Sequence, residues 1–301
     1  MYNDIGFLKF QLIFSTENKC RKYLFKKRWP KGFICPRCEY TRYSYHGTKL
    51  LYQCSRCRYQ VSLTAGTIFH KTRTPLRKWF WMIYLISQSK TGISILTLQR
   101  LLEISTYRTA WMMSHKIRKA MADRDSRYTL SGLVEMDDSF YGTKHAKGKR
   151  GRGADKKSSV IVSVQVKDDH PEFTSLKVVN AISKENVNDL AEENINKGST
   201  IKTDGYPSYR SLKKKGYHHI QRILYAPEDA SKFLPWVHIM ISNSKSVIRG
   251  THHGVSKKHI QRYLDSFSYL FNRRYWMDQI FDRLLTACFS TFTITLAELR
   301  A

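Results

Sequence analysis

Leu133-Val134-Glu135-Met136-Asp137-Asp138-Ser139-Phe140-Tyr141-Gly142 and Ser199-Thr200-Ile201-Lys202-Thr203-Asp204-Gly205 are two short strand-like runs, each carrying an aspartate towards its end. Between them lie two more strand candidates: Ser158 to Val166, where Val160, Val162, Val164 and Val166 alternate, and Thr174 to Val179. A helix candidate from Ser183 to Asn196 follows, with Val187, Leu190 and Ala191 as its apolar stripe. Asp137 and Asp204 are therefore expected at strand ends of one sheet. In a chain with 52 Lys and Arg against 24 Asp and Glu, carboxylates presented this way predict a metal site facing a polyanion.

A chain of 301 residues, 42% hydrophobic and 13% aromatic, can bury a sizeable core and is expected to be globular with two or three domains. Its formal net charge of +28 attracts phosphate backbones, so nucleic acid is the expected partner. An acidic membrane surface is the other reading of such charge, but the basic residues are spread along the whole chain and form no single amphipathic face. The longest apolar stretch, Trp79 to Ile86, is too short to cross a bilayer, and the N-terminus has no charged-then-apolar leader. No membrane partner and a cytoplasmic location are expected.

Five of the six cysteines fall in the first 57 residues, and four of them form Cys35-x2-Cys38, fifteen intervening residues, then Cys54-x2-Cys57. That spacing offers two pairs of thiolates to one tetrahedral Zn2+, as in a zinc ribbon. Disulfides are the alternative, disfavoured by the close paired spacing and a reducing cytoplasm. Cys20 and Cys288 lack such partners and are expected as buried apolar residues. Arg37, Arg56 and Arg58 sit in or beside the knuckles with Tyr40, Tyr43, Tyr45, Tyr52 and Tyr59 interleaved, a composition that suits DNA contact.

After the ribbon, Thr74-Pro75-Leu76 opens a helix whose Trp79, Phe80, Met82, Ile83 and Ile86 pack inward. Ile95, Leu98, Leu101 and Leu102 then recur at helical spacing, Glu103-Ile104-Ser105 breaks the run, and a second helix turns Ala110, Met113, Ile117 and Met121 inward. With Arg108, His115, Lys116, Arg118 and Lys119 on that second helix, the pair reads as a helix-turn-helix or as an ordinary helical hairpin.

Three antiparallel strands, a helix and a parallel fourth strand follow the order of the RNase H core. The expected fold class is α/β: an RNase H-like mixed sheet over 130–280, preceded by a zinc ribbon over 18–72 and a helix-turn-helix-like segment over 73–126. Lys144, Lys147, Lys149, Arg150, Arg152, Lys156 and Lys157, broken by Gly148, Gly151 and Gly153, have the composition of a loop at the mouth of the site, suited to clamping a DNA backbone.

These motifs resemble zinc-ribbon insertion-sequence transposases of the DDE class with an ISXO-like catalytic domain. The resemblance runs from Cys35 through Thr64-Ala65-Gly66-Thr67-Ile68-Phe69-His70-Lys71-Thr72, Val134-Glu135-Met136-Asp137-Asp138, Thr203-Asp204-Gly205-Tyr206, Lys245 and Gly250-Thr251-His252-His253-Gly254 to Phe271-Asn272-Arg273-Arg274. It implies a metal-dependent transposase that binds the terminal inverted repeats of its element, cleaves the ends by phosphodiester hydrolysis and joins them to target DNA. It further implies a homodimer or larger assembly on double-stranded DNA and a nucleoid-associated life in the cytoplasm. Asp137 and Asp204 become its first two catalytic carboxylates.

At the third position the chain departs from the DDE pattern. Many relatives carry a glutamate seven residues before a lysine on the last core helix; here the lysine is Lys245 and the earlier residue is His238. Pro235 suits the first turn of that helix and Gly250 its end, and His238, Ser242 and Lys245 share one face. A lone histidine is ordinarily a packing residue, but at this position it is expected to hold Mg2+ or Mn2+ with Asp137 and Asp204, while Lys245 meets a phosphate. Asn243 is a further catalytic candidate, with Glu228, Asp229 and Asp265 behind it. Tyr263-Leu264-Asp265-Ser266-Phe267 also resembles a family segment, with Ser266 where an acid is common. Two other functions stay open: a catalytically impaired, transposase-derived DNA-binding regulator, and a nuclease or resolvase acting on RNA or branched DNA.

Overall fold

The structure, a computed structural model, describes residues 6–142, 157–223, 229 and 232–300. The basic stretch 143–156 and Glu228 therefore lie outside the described residues. The chain divides into two compact units, Met1–Ser89 with Ile95–Ala120 and Trp276–Ala301, and Lys90–Ser94 with Met121–Tyr275. No helix among the described residues is long and apolar enough to cross a membrane.

In the first unit, helices α1 (Phe7–Ile13), α2 (Glu17–Arg28) and α3 (Leu76–Gln88) flank a ribbon of three short antiparallel strands, β1 (Tyr43–His46), β2 (Leu51–Cys54) and β3 (Gln60–Ser62). Aromatic rings make its helical core: Phe10 stacks on Tyr84 at 4.2 Å, and Phe14 meets Phe80 edge-on at 4.9 Å. Trp79, Phe80, Met82, Ile83 and Ile86 are all buried, as the spacing predicts. Pro75 offers α3 no side-chain cap, and the Glu17 carboxylate supplies one, accepting the N–H groups of Leu76 and Arg77 at 2.9 and 3.0 Å. Cys20 and Cys288 are fully buried.

Helices α4 (Ile95–Leu101) and α5 (Tyr107–Asp125) correct part of the helix-turn-helix reading. Leu101 faces outward while Leu102 and Ile104 turn in, because the chain leaves the helix at Glu103, whose φ is +47°. In α5, Ala110, Met113, Ile117 and Met121 are buried, but so are His115 and Arg118, whose guanidinium donates to Ser114 Oγ at 2.7 Å. Two of the five basic residues expected on a DNA-reading face are thus spent inside; of the five, Arg108 is the exposed one.

The second unit is a five-stranded mixed sheet in the order β6-β5-β4-β7-β8, from β4 (Leu133–Tyr141), β5 (Ser158–Lys167), β6 (His170–Val179), β7 (Thr200–Asp204) and β8 (His218–Arg222). The first three are antiparallel neighbours, and β7 and β8 run parallel to β4. This is the RNase H-like order. It needs a crossover before β7, supplied by α6 (Lys184–Asn194), whose N-cap Ser183 accepts the Asn186 N–H. β6 begins earlier than its alternation suggests: Asp168 and Asp169, both at positive φ, close a two-residue hairpin that pairs Lys167 with His170.

Alternation along β4 divides the core. Val134 and Met136 face a layer built by α6 and the 3-10 segment Pro207–Lys215, with Leu190, Ile201, Tyr209 and Leu212. Tyr141 faces the other layer, where α7 (Pro235–Gly250) and α8 (Ile260–Phe271) bring Val237, Met240, Ile248 and Leu264. The Phe271-Asn272-Arg273-Arg274 segment is a staple. Asn272 Oδ1 accepts Thr174 N–H at 2.8 Å, Arg273 pairs with Asp125 at 2.6 Å, and Arg274 donates to the carbonyls of Glu172 and Pro171.

Candidate active site

β4 and β7 pair in parallel with Leu133 opposite Thr200, Val134 opposite Ile201 and Glu135 opposite Lys202. Continued by two residues, the register brings Asp137 level with Asp204. Asp204 ends β7 as expected, but Asp137 is mid-strand, because β4 stays paired with β5 as far as Tyr141. Because side chains alternate, Asp137 shares the face of Glu135 and Tyr141, beneath α7. Asp138 is on the other face, where its carboxylate accepts the Tyr209 hydroxyl at 3.3 Å. The strand pattern thus separates the two adjacent aspartates. Asp137 Oδ1 accepts the Asp138 N–H at 2.8 Å, and Asp204 Oδ1 accepts the Tyr206 N–H at 3.0 Å, so each carboxylate is oriented by its own turn of chain. Gly205 lets the end of β8 close in: a Cβ there would stand 3.0 Å from Ile223 Cα.

α7 brings His238 over Asp137. His238 Nδ1 lies 3.9 Å from Asp137 Oδ2, and its Nε2 is buried without a hydrogen-bond partner among the described residues. Burial pushes the imidazole below its usual pKa, with Asp204 opposing, so the ring is neutral at pH 7. Lys245, one heptad on and on the same face, has its Nζ 5.5 Å from the Tyr141 ring centre; burial, Arg249 and Lys157 push its pKa down while Asp137 pulls it up. Asp137, Asp204, His238 and Lys245 therefore share one electrostatic neighbourhood.

Asn243 does not join them. At about 100° per residue it stands roughly 140° around α7 from His238, and it is exposed. Asp265 faces β6 instead: Gln261 Nε2 donates to it at 2.8 Å while also donating to the Leu176 carbonyl at 3.0 Å. Asp229 is half-buried.

Sequence reasoning missed Glu135. It is buried, and its Oε2 accepts the N–H groups of Trp236 and Val237, both at 2.9 Å, at the start of α7. Its partners are 101 and 102 residues away, and the only local signal was a charged residue in an apolar strand.

In the ribbon, the Sγ atoms of Cys35, Cys38, Cys54 and Cys57 all lie within 4.8 Å of one another. The Cys35–Cys57 and Cys38–Cys54 separations are both 3.6 Å. Four thiolates around one ion at 2.3 Å stand about 3.8 Å apart, so the quartet fits Zn2+. Both knuckles repeat one backbone: Glu39 and Arg58, each following the second cysteine of its pair, have φ of +60°, and each donates its N–H to the carbonyl of the first. Arg37, Arg56 and Arg58 are exposed, while Tyr52 is packed against Phe25, Trp29, Tyr43 and Tyr45. Among the described residues this quartet is the one His, Cys, Asp and Glu cluster tight enough for a single ion.

Residues 129–272 match the ISXO2-like transposase domain, and residues 15–60 match the transposase zinc-ribbon domain. A protein of the transposable element ISH50 of Halobacterium salinarum is 25% identical over 276 residues, covering 84% of this chain and 90% of the relative. Among solved structures, the catalytic core domain of BIV integrase aligns with 46% of this chain and 82% of its own, at 14% identity and a TM-score of 0.30. The Mos1 mariner paired-end complex with Mn aligns with 69% of this chain and 76% of its own, at 12% identity and a TM-score of 0.29. With a transposase zinc ribbon followed by an ISXO2-like transposase domain, the chain belongs to the zinc-ribbon insertion-sequence transposases of the DDE class.

Proposed function

We propose that this chain is a metal-dependent DNA transposase that cleaves the ends of an insertion sequence and joins them to target DNA. The observation that carries the reading is the parallel register that brings Asp137 level with Asp204 on the face covered by His238 and Lys245. The His238–Asp137 pair suits a divalent cation: the 3.9 Å from His238 Nδ1 to Asp137 Oδ2 falls within the span of roughly 3 to 4.2 Å between two ligands of one ion with bonds of 2.0–2.1 Å. When bound, two Mg2+ or Mn2+ ions activate the attacking oxygen and stabilise the leaving one.

In this reading Asp137, Asp204 and His238 would hold the ions, and Lys245 would neutralise a phosphate beside the cut. A water oxygen attacks phosphorus and the bond from phosphorus to the 3′ oxygen breaks, leaving a 3′-OH and a 5′-phosphate. That hydroxyl then attacks a target phosphodiester in the same site, giving up its proton and releasing a target 3′-OH. The partner is double-stranded DNA at the terminal inverted repeats and at the target, gripped by the ribbon arginines and Arg108, with a second protomer on the paired ends, in the cytoplasm. The working boundaries are 18–72 for the ribbon, 73–126 for the helical segment and 130–280 for the catalytic domain. Asn243, exposed on α7, is left to DNA contact. The test is strand cleavage of the DNA flanking the gene by the purified chain with Mn2+ or Mg2+. Cleavage at defined ends by wild type and none by Asp137→Asn is the expected result; equal cleavage by both would sink the proposal.

A further inference from the structure

Glu135 is a buried carboxylate with a position that the chemistry above does not use. It is 2% exposed, stands in the row of β4 that faces α7, and lies opposite Lys202 in the parallel pairing of β4 with β7. Its Oε2 accepts the N–H groups of Trp236 and Val237, the second and third residues of α7, which have no partner inside a helix. The residue before α7, Leu234, provides no side-chain acceptor, so Glu135 is the cap of that helix although it belongs to a strand. A negative group is favoured there, where the helix amides point outward and the dipole is positive.

The strap ends beside the site at both of its anchors. Along β4, Asp137 is two residues from Glu135 on the same face; along α7, His238 is the residue after Val237. A second strap closes the far side, where the Tyr141 hydroxyl and Ser244 Oγ meet at 2.7 Å. Asp137 and His238 lie between the two. We propose that Glu135 is a positioning residue for the metal-binding pair: by tying the first turn of α7 to β4 it sets the axial register of the helix, and so the separation of His238 from Asp137. This rests on the reading of those two as metal ligands. Sliding α7 by about 1 Å along the line from Asp137 to His238 would stretch their 3.9 Å separation past the roughly 4.2 Å that two ligands of one ion can span, and displacements of that size are costly in reacting sites.

The experiment uses the full chain with zinc already loaded on the ribbon and Mn2+ alone as the probe, its binding read from the free-ion electron paramagnetic resonance signal. Amide hydrogen exchange at Trp236 and Val237 is measured in parallel. Glu135→Ala should weaken Mn2+ binding about 10-fold, the range typical of losses just outside a ligand set. It should speed exchange at those two amides while leaving the β5 amides protected, which general destabilisation would not do. Glu135→Gln, which keeps an acceptor oxygen, should restore both. If Glu135→Ala does not fold, Glu135→Asp decides, since it keeps the charge but cannot span to both amides; weaker Mn2+ binding is expected. Wild-type Mn2+ affinity in the folded Ala or Asp variant, with Asp137→Asn losing the ion, overturns this inference alone. Wild-type Mn2+ affinity in Asp137→Asn overturns the metal-site reading and this inference with it.

Discussion

His238 Nδ1 stands 3.9 Å from Asp137 Oδ2, too far for a hydrogen bond and close enough for both to hold one ion. The imidazole is neutral because burial outweighs the pull of Asp204. His238→Ala should therefore cost strand cleavage as severely as Asp204→Asn, beyond the roughly 100-fold reached by losses outside a ligand set. His238→Glu should keep activity and shift its preference from Mn2+ towards Mg2+, since a hard oxygen replaces a nitrogen. The pH dependence has a definite sign. A ligating ring must be unprotonated, and its pKa is lowered, so wild-type cleavage should hold as pH falls to about 6.5 and drop only below it. The glutamate variant should persist to lower pH. Full activity in His238→Ala would reduce the histidine to packing.

Asp137→Asn and Asp204→Asn each remove a charge facing the site without removing a cation from the DNA surface. Both should abolish cleavage and joining while end binding, measured by mobility shift, stays within about 3-fold of wild type. Binding by all three proteins should fall steeply and equally with salt, as phosphate neutralisation by Lys and Arg requires. A variant that cut at the wild-type rate would remove its residue from the site.

Four of the sheet's five strands were legible because their signals are local, while β8, the edge strand, was not read. Val160, Val162, Val164 and Val166 alternate on a strand buried on both faces, and Ser183 marks the start of α6. Asp137 was legible as a strand acid, and alternation alone sets it on the opposite face from Asp138, but β4 continues past it to Tyr141, where a strand end was expected. Asn243 could have been set aside from the helix period alone, five residues after His238. Glu135 could not be read, because its two partners are fixed only by folding. His115 and Arg118 misled for a related reason: composition says basic surface, but the α5 face on which they lie is buried. The opening of β6 was written in Asp168-Asp169, residues that tolerate positive φ in a two-residue hairpin.

The cysteine quartet should bind one Zn2+ per chain, measurable by metal analysis of freshly reduced protein. Its strands are only three or four residues long, so the ion should supply most of the ribbon's folding energy. Cys54→Ser removes one corner of the tetrahedron and should lower both zinc content and end-specific DNA binding. The RNase H-like unit has its own core of Val134, Met136, Ile161 and Leu190 and should melt as in wild type. Reduced protein free of zinc yet binding ends normally would exclude the metal-held ribbon.

Asp265 gives a stability prediction independent of catalysis. It sits on α8 against β6, where burial, with help from Asp125, pushes its carboxyl up to about 6 against Lys177, Arg262 and the Gln261 hydrogen bond. A folded-state pKa above the unfolded value means that the fold holds the proton more tightly. Its contribution to stability is fully present below about pH 4 and is lost as pH rises through about 6. A carboxyl raised that far above its ordinary pKa corresponds to at most about 3 kcal/mol, and partial exposure screens that further. Asp265→Asn imitates the protonated acid at every pH and still accepts from Gln261. It should therefore match wild type near pH 4 and exceed it at pH 7.5 by about 1 to 2 kcal/mol, read as a higher melting temperature of the sheet unit. Parallel melting curves for the two proteins from pH 4 to 8 would show that Asp265 ionises normally in the fold.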